Sequence, residues 1–137
     1  MVTKIFGNKK ITIRPLAKSD LKQVKKFQDF INSFISEQAM VSFDRPLSLK
    51  EERGWLKGTL KQIKNHKQVV LVAECDKEVV GLTDIEQKKW RLSHIGGFGI
   101  VIRAGFRGIG LGKYLTTEIV RLAKKDIRPK LKIVRLE

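Results

Sequence analysis

The glycines at alternate positions 108, 110 and 112 are the residues of this sequence whose spacing most directly suggests a binding site. Residues without a Cβ let the backbone turn sharply, and they let a ligand approach the backbone N–H groups closely. Apolar residues at helical spacing follow the glycines: Leu111, Leu115, Ile119 and Leu122. Because the start of a helix carries unpaired N–H donors and a partial positive charge, the pattern predicts a turn that binds phosphate.

A β-strand is predicted immediately before this turn. Ile100 and Ile102 lie on one side of a two-residue period, with Val101 between them, and β-branched residues favour a pleated strand. The chain therefore runs from a strand through a glycine turn into a helix.

Two common phosphate-binding motifs do not fit this turn. A P-loop would need glycine where Arg107 stands and a serine or threonine where Tyr114 stands. A dinucleotide-binding motif would need a third small residue where the sequence has Lys113 or Leu115.

The run Arg107-Gly-Ile-Gly110-Leu-Gly112 resembles the Arg/Gln-x-x-Gly-x-Gly/Ala signature of the GNAT superfamily of acyl-CoA-dependent N-acyltransferases. In that family an apolar strand precedes the signature by about five positions, as residues 100–102 do here. The resemblance extends over nearly the whole chain, because the predicted order of strands and helices is also that of the family.

The resemblance implies that acetyl-CoA is the co-substrate and that a primary amine attacks its thioester directly. The pyrophosphate would lie on the N–H groups of residues 108–113, and the pantetheine arm would pair with the strand at 100–102. The side chain of Arg107 either contacts a phosphate or is solvated, and the same two alternatives apply to Lys113. The cofactor-binding residues implied in this way are Ile100, Val101, Ile102, Arg107, Gly108, Ile109, Gly110, Leu111, Gly112 and Lys113.

No catalytic residue is assigned from the sequence. An amine acceptor must lose a proton, and four side chains are candidates for the base: Glu37, Asp84, Glu86 and His94. Tyr114 is not assigned as the acid, because it would lie beside the phosphates. The run Gly96-Gly97-x-Gly99 predicts a β-bulge that splays its strand from the last one, and the alternative is close packing against Trp90 or a helix.

The remaining elements follow from apolar periodicity and turn residues. We predict a strand at 11–16, a helix from Ser19, and a second helix that begins with the capping box Ser48–Glu51. The stripe of the first helix is Leu21, Val24, Phe27, Ile31 and Phe34, and the inward residues of the second are Trp55, Leu56, Leu60 and Ile63. Later strands are predicted at 68–74, 79–85, 94–102 and 131–136, with the turn 75–78 joining the first two as a hairpin.

The predicted order is β-α-α-β-β-β-α-β, an α+β or α/β fold with a mixed, mostly antiparallel sheet flanked by helices. Residues 1–137 form a single domain. In the family the last strand is followed by another helix and further strands, so the C-terminal part is expected to be missing. Another subunit could complete the core, which makes a homodimer possible.

Composition limits the alternatives. Cys75 is the only cysteine, so we expect no disulfide within the chain, no cysteine-based zinc site and no metal. We expect no membrane span and no secretory leader, and hence a cytoplasmic protein. The formal net charge of +15 raises the alternative of a basic nucleic-acid-binding module, but the basic residues are spread along the whole chain, so we do not expect nucleic acid as the main partner. A further alternative is a catalytically silent CoA-binding regulatory domain. For the acetyltransferase that the resemblance implies, the expected partners are acyl-CoA and an amine acceptor.

Overall fold

The computed structural model describes residues 1–36 and 48–136, which form a six-stranded sheet with helices on both faces. The strands lie in the order β1-β2-β3-β4-β5-β6, and all neighbours are antiparallel except β5 and β6. This confirms the predicted fold class. The elements are β1 (Val2–Phe6), β2 (Lys9–Pro15), α1 (Val24–Ser36), α2 (Leu49–Lys64), β3 (Gln68–Cys75), β4 (Glu78–Gln87), β5 (Ile95–Ile102), α3 (Leu111–Asp126) and β6 (Ile133–Leu136), with short 3-10 segments at Lys18–Lys22 and Trp90–Leu92.

The N-terminal strand β1 is an addition to the predicted order. It pairs with β2 as a hairpin at the edge of the sheet, and only Phe6 of its five residues is buried. Ile5 on the other side is 73% exposed, so neither side of the strand shows the inward apolar alternation that identifies a strand in a sequence.

The prediction that the first helix begins at Ser19 was wrong. Residues 18–22 form a separate 3-10 segment, and α1 begins at Val24. The reason is the buried carboxylate of Asp20, which accepts a hydrogen bond from the backbone N–H of Ala17 at 2.8 Å and a bidentate pair from Arg14 at 2.9 and 2.7 Å. These bonds hold a tight turn ahead of the helix.

Two apolar clusters lie on opposite faces of the sheet. Helix α3 covers one face with Leu111, Leu115, Ile119 and Ala123, packed against residues such as Ile13, Leu71 and Ile85. Helices α1 and α2 cover the other face, where Phe27, Phe30, Phe34 and Leu56 pack against Val70, Val72 and Val79. Strands β3 and β4 contribute side chains to both clusters.

Helix α2 begins with the predicted capping box. The N–H of Glu51 donates to Ser48 Oγ at 3.1 Å, and Ser48 N–H donates to Glu51 Oε1 at 3.1 Å. The prediction that Trp55 faces inward was wrong, because it is 38% exposed while Leu56 is fully buried. Among the described residues, close packing does not explain Gly54 or Gly58, since a Cβ on either would meet no atom of these residues within 4 Å.

The predicted bulge in β5 is absent. The pairing of β4 with β5 is regular from Gly81↔Ile102 to Gln87↔Gly96, and the irregularity lies instead between β3 and β4, at Ala73/Glu74. Close packing, the alternative, explains Gly96, although its neighbours are neither Trp90 nor a helix. A Cβ there would lie 2.6 Å from Leu131 Cδ1 and 2.8 Å from Ile85 Cγ2.

Replacing Gly96 with alanine should therefore destabilise the fold. Ile85 is fully buried and cannot move aside without disturbing the α3 cluster, so we expect a loss of about 1–3 kcal/mol in the free energy of unfolding. Gly54→Ala is the matched control, because open space surrounds that helical position and the substitution should stabilise the protein by up to about 1 kcal/mol. Urea denaturation of both variants tests this, and equal stabilities would contradict it.

Glu52 should make the stability depend on pH. Its side chain lies on the inward face of α2 and is 2% exposed, and burial raises its pKa from 4.5 to about 7. The folded state then binds more protons than the unfolded state between these values, so stability falls as the pH rises from about 4.5 to about 7. The full effect of that shift is about 3 kcal/mol.

The variant Glu52→Gln should not show this fall in stability with rising pH. It should therefore be more stable than the wild type at pH 8, and the two should differ little at pH 4. Denaturation at both pH values measures the difference. Glu86→Gln, at an exposed position, is the control. A wild-type protein whose stability at pH 8 matches that of the Glu52→Gln variant would contradict the prediction.

Candidate functional site

The turn between β5 and α3 presents backbone N–H groups to open space. Gly110 is the N-cap of α3, and both it and Gly108 have positive φ, at +90° and +74°. A side chain at either position would be strained, and a Cβ would meet no atom of residues 1–36 or 48–136 within 4 Å, so a ligand can approach the backbone there. The described part of the chain provides neither a side-chain cap nor an acidic residue for the first turn of α3. The N–H groups at this end are thus arranged to receive an anion.

The side chains of the turn hold it in place. Leu111 is fully buried in the α3 cluster, and the Cα of Gly112 lies so close to β5 that an added Cβ would be 3.3 Å from Ile102 Cδ1. On the other side, Ile109 packs against Gly7 in the β1–β2 turn, where a Cβ would lie 3.2 Å from Ile109 Cγ2. The N-terminal hairpin, which the sequence analysis did not include, therefore supports the glycine turn.

Arg107 connects the turn to two other elements. Its Nε donates to the carbonyl oxygen of Ile102 at 2.7 Å, and its guanidinium lies 5.7 Å from the ring centroid of Phe34 in α1. This side chain therefore anchors the turn to the end of β5. The two alternatives predicted from the sequence, contact with a phosphate and solvation, did not include this role. Lys113 is exposed on the first turn of α3.

One edge of β5 is open between Gly99 and Ile102. Strand β6 pairs only with the segment from Ile95 to Phe98, and no strand of the described ranges pairs with the remainder on that side. Ile100 and Ile102 contact the α3 cluster and Val101 contacts the opposite one, which confirms the predicted alternation. All three are only partly buried, in contrast to the first six residues of β3, which are all buried. The open edge leads directly from the glycine turn to Gly99.

A cleft of about 260 Å³ lies beside this edge, and its lining includes Asp84, Glu86, Gly97 and Gly99. Asp84 pairs with Gly99 on β5 and with Val70 on β3, so its side chain shares the sheet face that α1 and α2 cover. The carboxylate occupies the space that a side chain on residue 99 would need, since a Cβ there would be 3.0 Å from Asp84 Oδ1. Gly99 therefore gives this carboxylate access to the open edge.

The surroundings of Asp84 suit a group that accepts a proton near neutral pH. Burial raises its pKa to about 6 from 3.8, and the negative charge of Glu86 adds to the rise. Gln68 Nε2 opposes the rise by donating a hydrogen bond to Asp84 Oδ2 at 3.0 Å, which also orients the carboxylate. At pH 7 the group is mostly ionised and can still be protonated during a reaction.

The other candidate bases are placed differently. Glu86 lines the same cleft but is exposed. His94 lies at the opposite end of β5, where its carbonyl oxygen accepts hydrogen bonds from the N–H groups of Lys132 and Ile133 at 2.8 and 3.1 Å. Glu37 lies outside the described residues. The structure thus brings one partly buried carboxylate, that of Asp84, to the open edge.

Gln68 is a site residue that the sequence analysis did not single out. It is the one polar residue at the start of the otherwise apolar strand Gln68-Val-Val-Leu-Val-Ala, and it is 7% exposed. A buried amide in such a strand needs a hydrogen-bond partner. The single polar residue in an apolar strand was therefore the signal from which the contact of Gln68 with another polar side chain could have been predicted.

Neither a membrane span nor a metal site emerges from the residues described. No helix among residues 1–36 and 48–136 is long and apolar enough to cross a bilayer. In the same ranges no three side chains of the His, Cys, Asp and Glu types come together as metal ligands.

Comparisons with known proteins agree with the fold described above. The model of the acetyltransferase (GNAT) family matches residues 29–136. No curated relative matches the chain by sequence. Among solved structures, a GNAT-family acetyltransferase from Streptococcus pneumoniae superposes with a TM-score of 0.74 at 24% identity, over 92% of this chain and 73% of that one.

Two further structures show the same fold. Glucosamine-6-phosphate N-acetyltransferase from Arabidopsis thaliana gives a TM-score of 0.66 at 18% identity, over 93% of this chain and 81% of that one. A putative acetyltransferase from Salmonella typhimurium, determined with its cofactor acetyl-CoA, gives 0.64 at 19% identity, over 84% of this chain and 64% of that one.

Proposed function

Because this chain belongs to the acetyltransferase (GNAT) family, we propose that it transfers an acetyl group from acetyl-CoA to a primary amine. The observation that carries the proposal is the alignment of three features along β5. The glycine turn at 108–113 suits a pyrophosphate, the open edge from Gly99 to Ile102 suits an amide-bearing arm, and Asp84 lies where that edge reaches the cleft. The structure of the Salmonella relative with acetyl-CoA supports the choice of co-substrate.

The residues present fit acetyl-CoA in shape and charge. N–H groups at the start of α3 donate hydrogen bonds to the pyrophosphate, and the positive helix end favours its charge. The backbone groups of β5 that β6 does not pair with would bond the amides of the pantetheine arm, as an added strand would, although the carbonyl oxygen of Ile102 already accepts a hydrogen bond from Arg107 Nε. Bound in this way, the co-substrate supplies an activated thioester beside the Asp84 cleft.

The chain then has three tasks in the transfer. It holds the amine and the thioester within reach of each other, which removes much of the entropic cost of the encounter. Backbone N–H donors at the open edge stabilise the negative charge that develops on the carbonyl oxygen. The Asp84 carboxylate takes a proton from the attacking amine, directly or through one water molecule. The new C–N bond forms as the C–S bond breaks, and the CoA thiolate leaves.

No protein group is assigned to protonate that thiolate. Tyr114, the only tyrosine, packs edge-on against Phe6 at 5.6 Å between ring centroids, and Lys4 Nζ lies 4.7 Å from its ring centroid. These contacts direct it toward the N-terminal hairpin, on the side of α3 away from the Asp84 cleft. Because an ordinary thiol has a pKa of about 8.5, water can protonate the departing thiolate near neutral pH.

The proposal is tested by incubating the protein with acetyl-CoA and a panel of primary amines while free thiol is measured. We expect thiol release that depends on the amine, and an acetylated amine detected by mass spectrometry. If acetyl-CoA binds but no amine is acetylated, the protein is the silent CoA-binding domain of the alternative hypothesis. If acetyl-CoA does not bind, the proposal fails altogether.

A further inference from the structure

The loop between β4 and β5 presents an exposed tryptophan in an unusual backbone conformation. Trp90 is 89% exposed, and its φ of +55° lies in the left-handed region that bulky side chains rarely adopt. Such a conformation costs of order 1–3 kcal/mol, and residues that adopt it cluster at binding and active sites. An exposed indole held at this cost indicates a contact surface.

Hydrogen bonds fix the loop that carries this side chain. The buried amide of Gln87 donates through Nε2 to the carbonyl oxygens of Ser93 at 2.8 Å and Pro129 at 3.2 Å. The N–H of Lys88 donates to the carbonyl oxygen of Ile95 at 2.9 Å, which closes the base of the loop. Trp90 is therefore presented by a well-supported loop.

The surface that joins this loop to the proposed acetyl-transfer site carries both acidic and basic groups. A cavity of about 310 Å³ is lined by Trp90 and Lys67, and it shares Glu86, Lys88 and Lys89 with the Asp84 cleft. The exposed side chain of Arg91 follows Trp90 in the same loop. The Asp84 carboxylate thus lies at the inner end, the indole lies at the outer end with further basic groups, and the shared lysines lie between them. This arrangement fits an acceptor with an amine at one end and an anionic group with a planar ring at the other.

The nucleotide of acetyl-CoA itself does not fit this surface. The glycine turn follows Ile102 and the loop precedes Ile95, so the two lie at opposite ends of β5. Eight residues of extended strand separate them by about 25 Å. A group at Trp90 must therefore belong to the acceptor.

We propose that the amine acceptor carries a nucleotide, either free or at the end of a nucleic-acid strand, whose base stacks on Trp90 and whose phosphate lies beside Lys89 and Arg91. The inference rests on the proposed acetyl transfer and names the acceptor class. Indole faces stack with any base, and lysine and arginine side chains pair with phosphate. An acidic peptide would satisfy the basic groups but would leave the indole face without a planar partner.

The first test is binding at Trp90. The sequence has two tryptophans, so a Trp55→Phe variant reports on Trp90 alone by fluorescence. We expect saturable quenching by uridine monophosphate and by oligouridylate with CoA present at a saturating concentration. For oligouridylate the affinity should fall several-fold between about 50 and about 200 mM salt. Lys89→Glu in this background should weaken binding at least fivefold, whereas Lys10→Glu, an exposed position on β2, should not. Absence of quenching at millimolar ligand would overturn the proposal.

The second test is turnover with three acceptors of matched amine: 6-aminohexanol, the 6-aminohexyl ester of uridine monophosphate, and a hexaglutamate peptide with a 6-aminohexanoyl N-terminus. We expect kcat/KM for the nucleotide ester to exceed that for the alcohol at least tenfold, mainly through KM. Trp90→Ala should reduce this ratio toward one. Equal values for ester and alcohol, or a preference for the peptide, would overturn the proposal while leaving acetyl transfer itself established.

Discussion

Replacing Gly110 with valine should weaken acetyl-CoA binding by roughly 100-fold or more. Residue 110 caps α3 with a φ of +90°, which valine avoids, and its side chain would enter the open space through which the pyrophosphate reaches the N–H groups. Loss of two charge-assisted hydrogen bonds, at about 1.5–3 kcal/mol each, is enough for an effect of this size. Isothermal titration calorimetry with acetyl-CoA measures it.

Gly105→Val is the matched control for backbone strain. Gly105 has nearly the same φ, +89°, and also has no atom within 4 Å of an added Cβ, but it lies before the N–H groups that we assign to the pyrophosphate. We expect both variants to lose similar stability and only Gly110→Val to lose most of its affinity. Equal losses of affinity would assign the effect to strain and contradict the role of Gly110.

Asp84→Asn should lower kcat by about 10²–10³-fold while the affinity for acetyl-CoA stays within twofold of the wild type. Asparagine keeps the size of the side chain and a hydrogen-bond acceptor for Gln68, so the fold should survive, but the amide cannot take a proton from the amine. Glu86→Gln is the control, because it removes a carboxylate from the same cleft at an exposed position. A kcat near that of the wild type in Asp84→Asn would exclude Asp84 as the base.

The dependence of activity on pH tests the assignment of Asp84 as the base in a second way. The base acts only when ionised, so wild-type activity should fall as the pH drops through the pKa of Asp84, about 6. The residual activity of Asp84→Asn should lack this acidic limb. Protonation of the free amine affects both proteins equally and is therefore cancelled in their ratio.

The glycine turn between β5 and α3 could be predicted because its signal is local. Glycines at alternate positions, a β-branched strand before them and a helical stripe after them each reflect the backbone conformation of a few neighbouring residues. The capping box at Ser48 was predictable for the same reason and is confirmed. The fold class followed once these elements were placed in order.

The features that the sequence did not reveal depend on contacts between distant residues. Gly96 is explained by Leu131 and Ile85, which no pattern within β5 could indicate, so a bulge was predicted in place of close packing. Asp84 was one of four candidate bases in the sequence, and it stands out from the others only because Gly99 leaves space for it on the neighbouring strand and Gln68 orients it from the other side. Trp55 belonged to an apolar stripe by spacing, yet Glu52 and Thr59 occupy the buried face of α2 in its place.

The most direct test of the account is a crystal structure of the protein grown with acetyl-CoA. We predict the pyrophosphate within hydrogen-bonding distance of the N–H groups of residues 108–113, the pantetheine amides paired with β5 between Gly99 and Ile102, and the thioester beside Asp84. Acetyl-CoA bound elsewhere, with the glycine turn empty, would contradict the account.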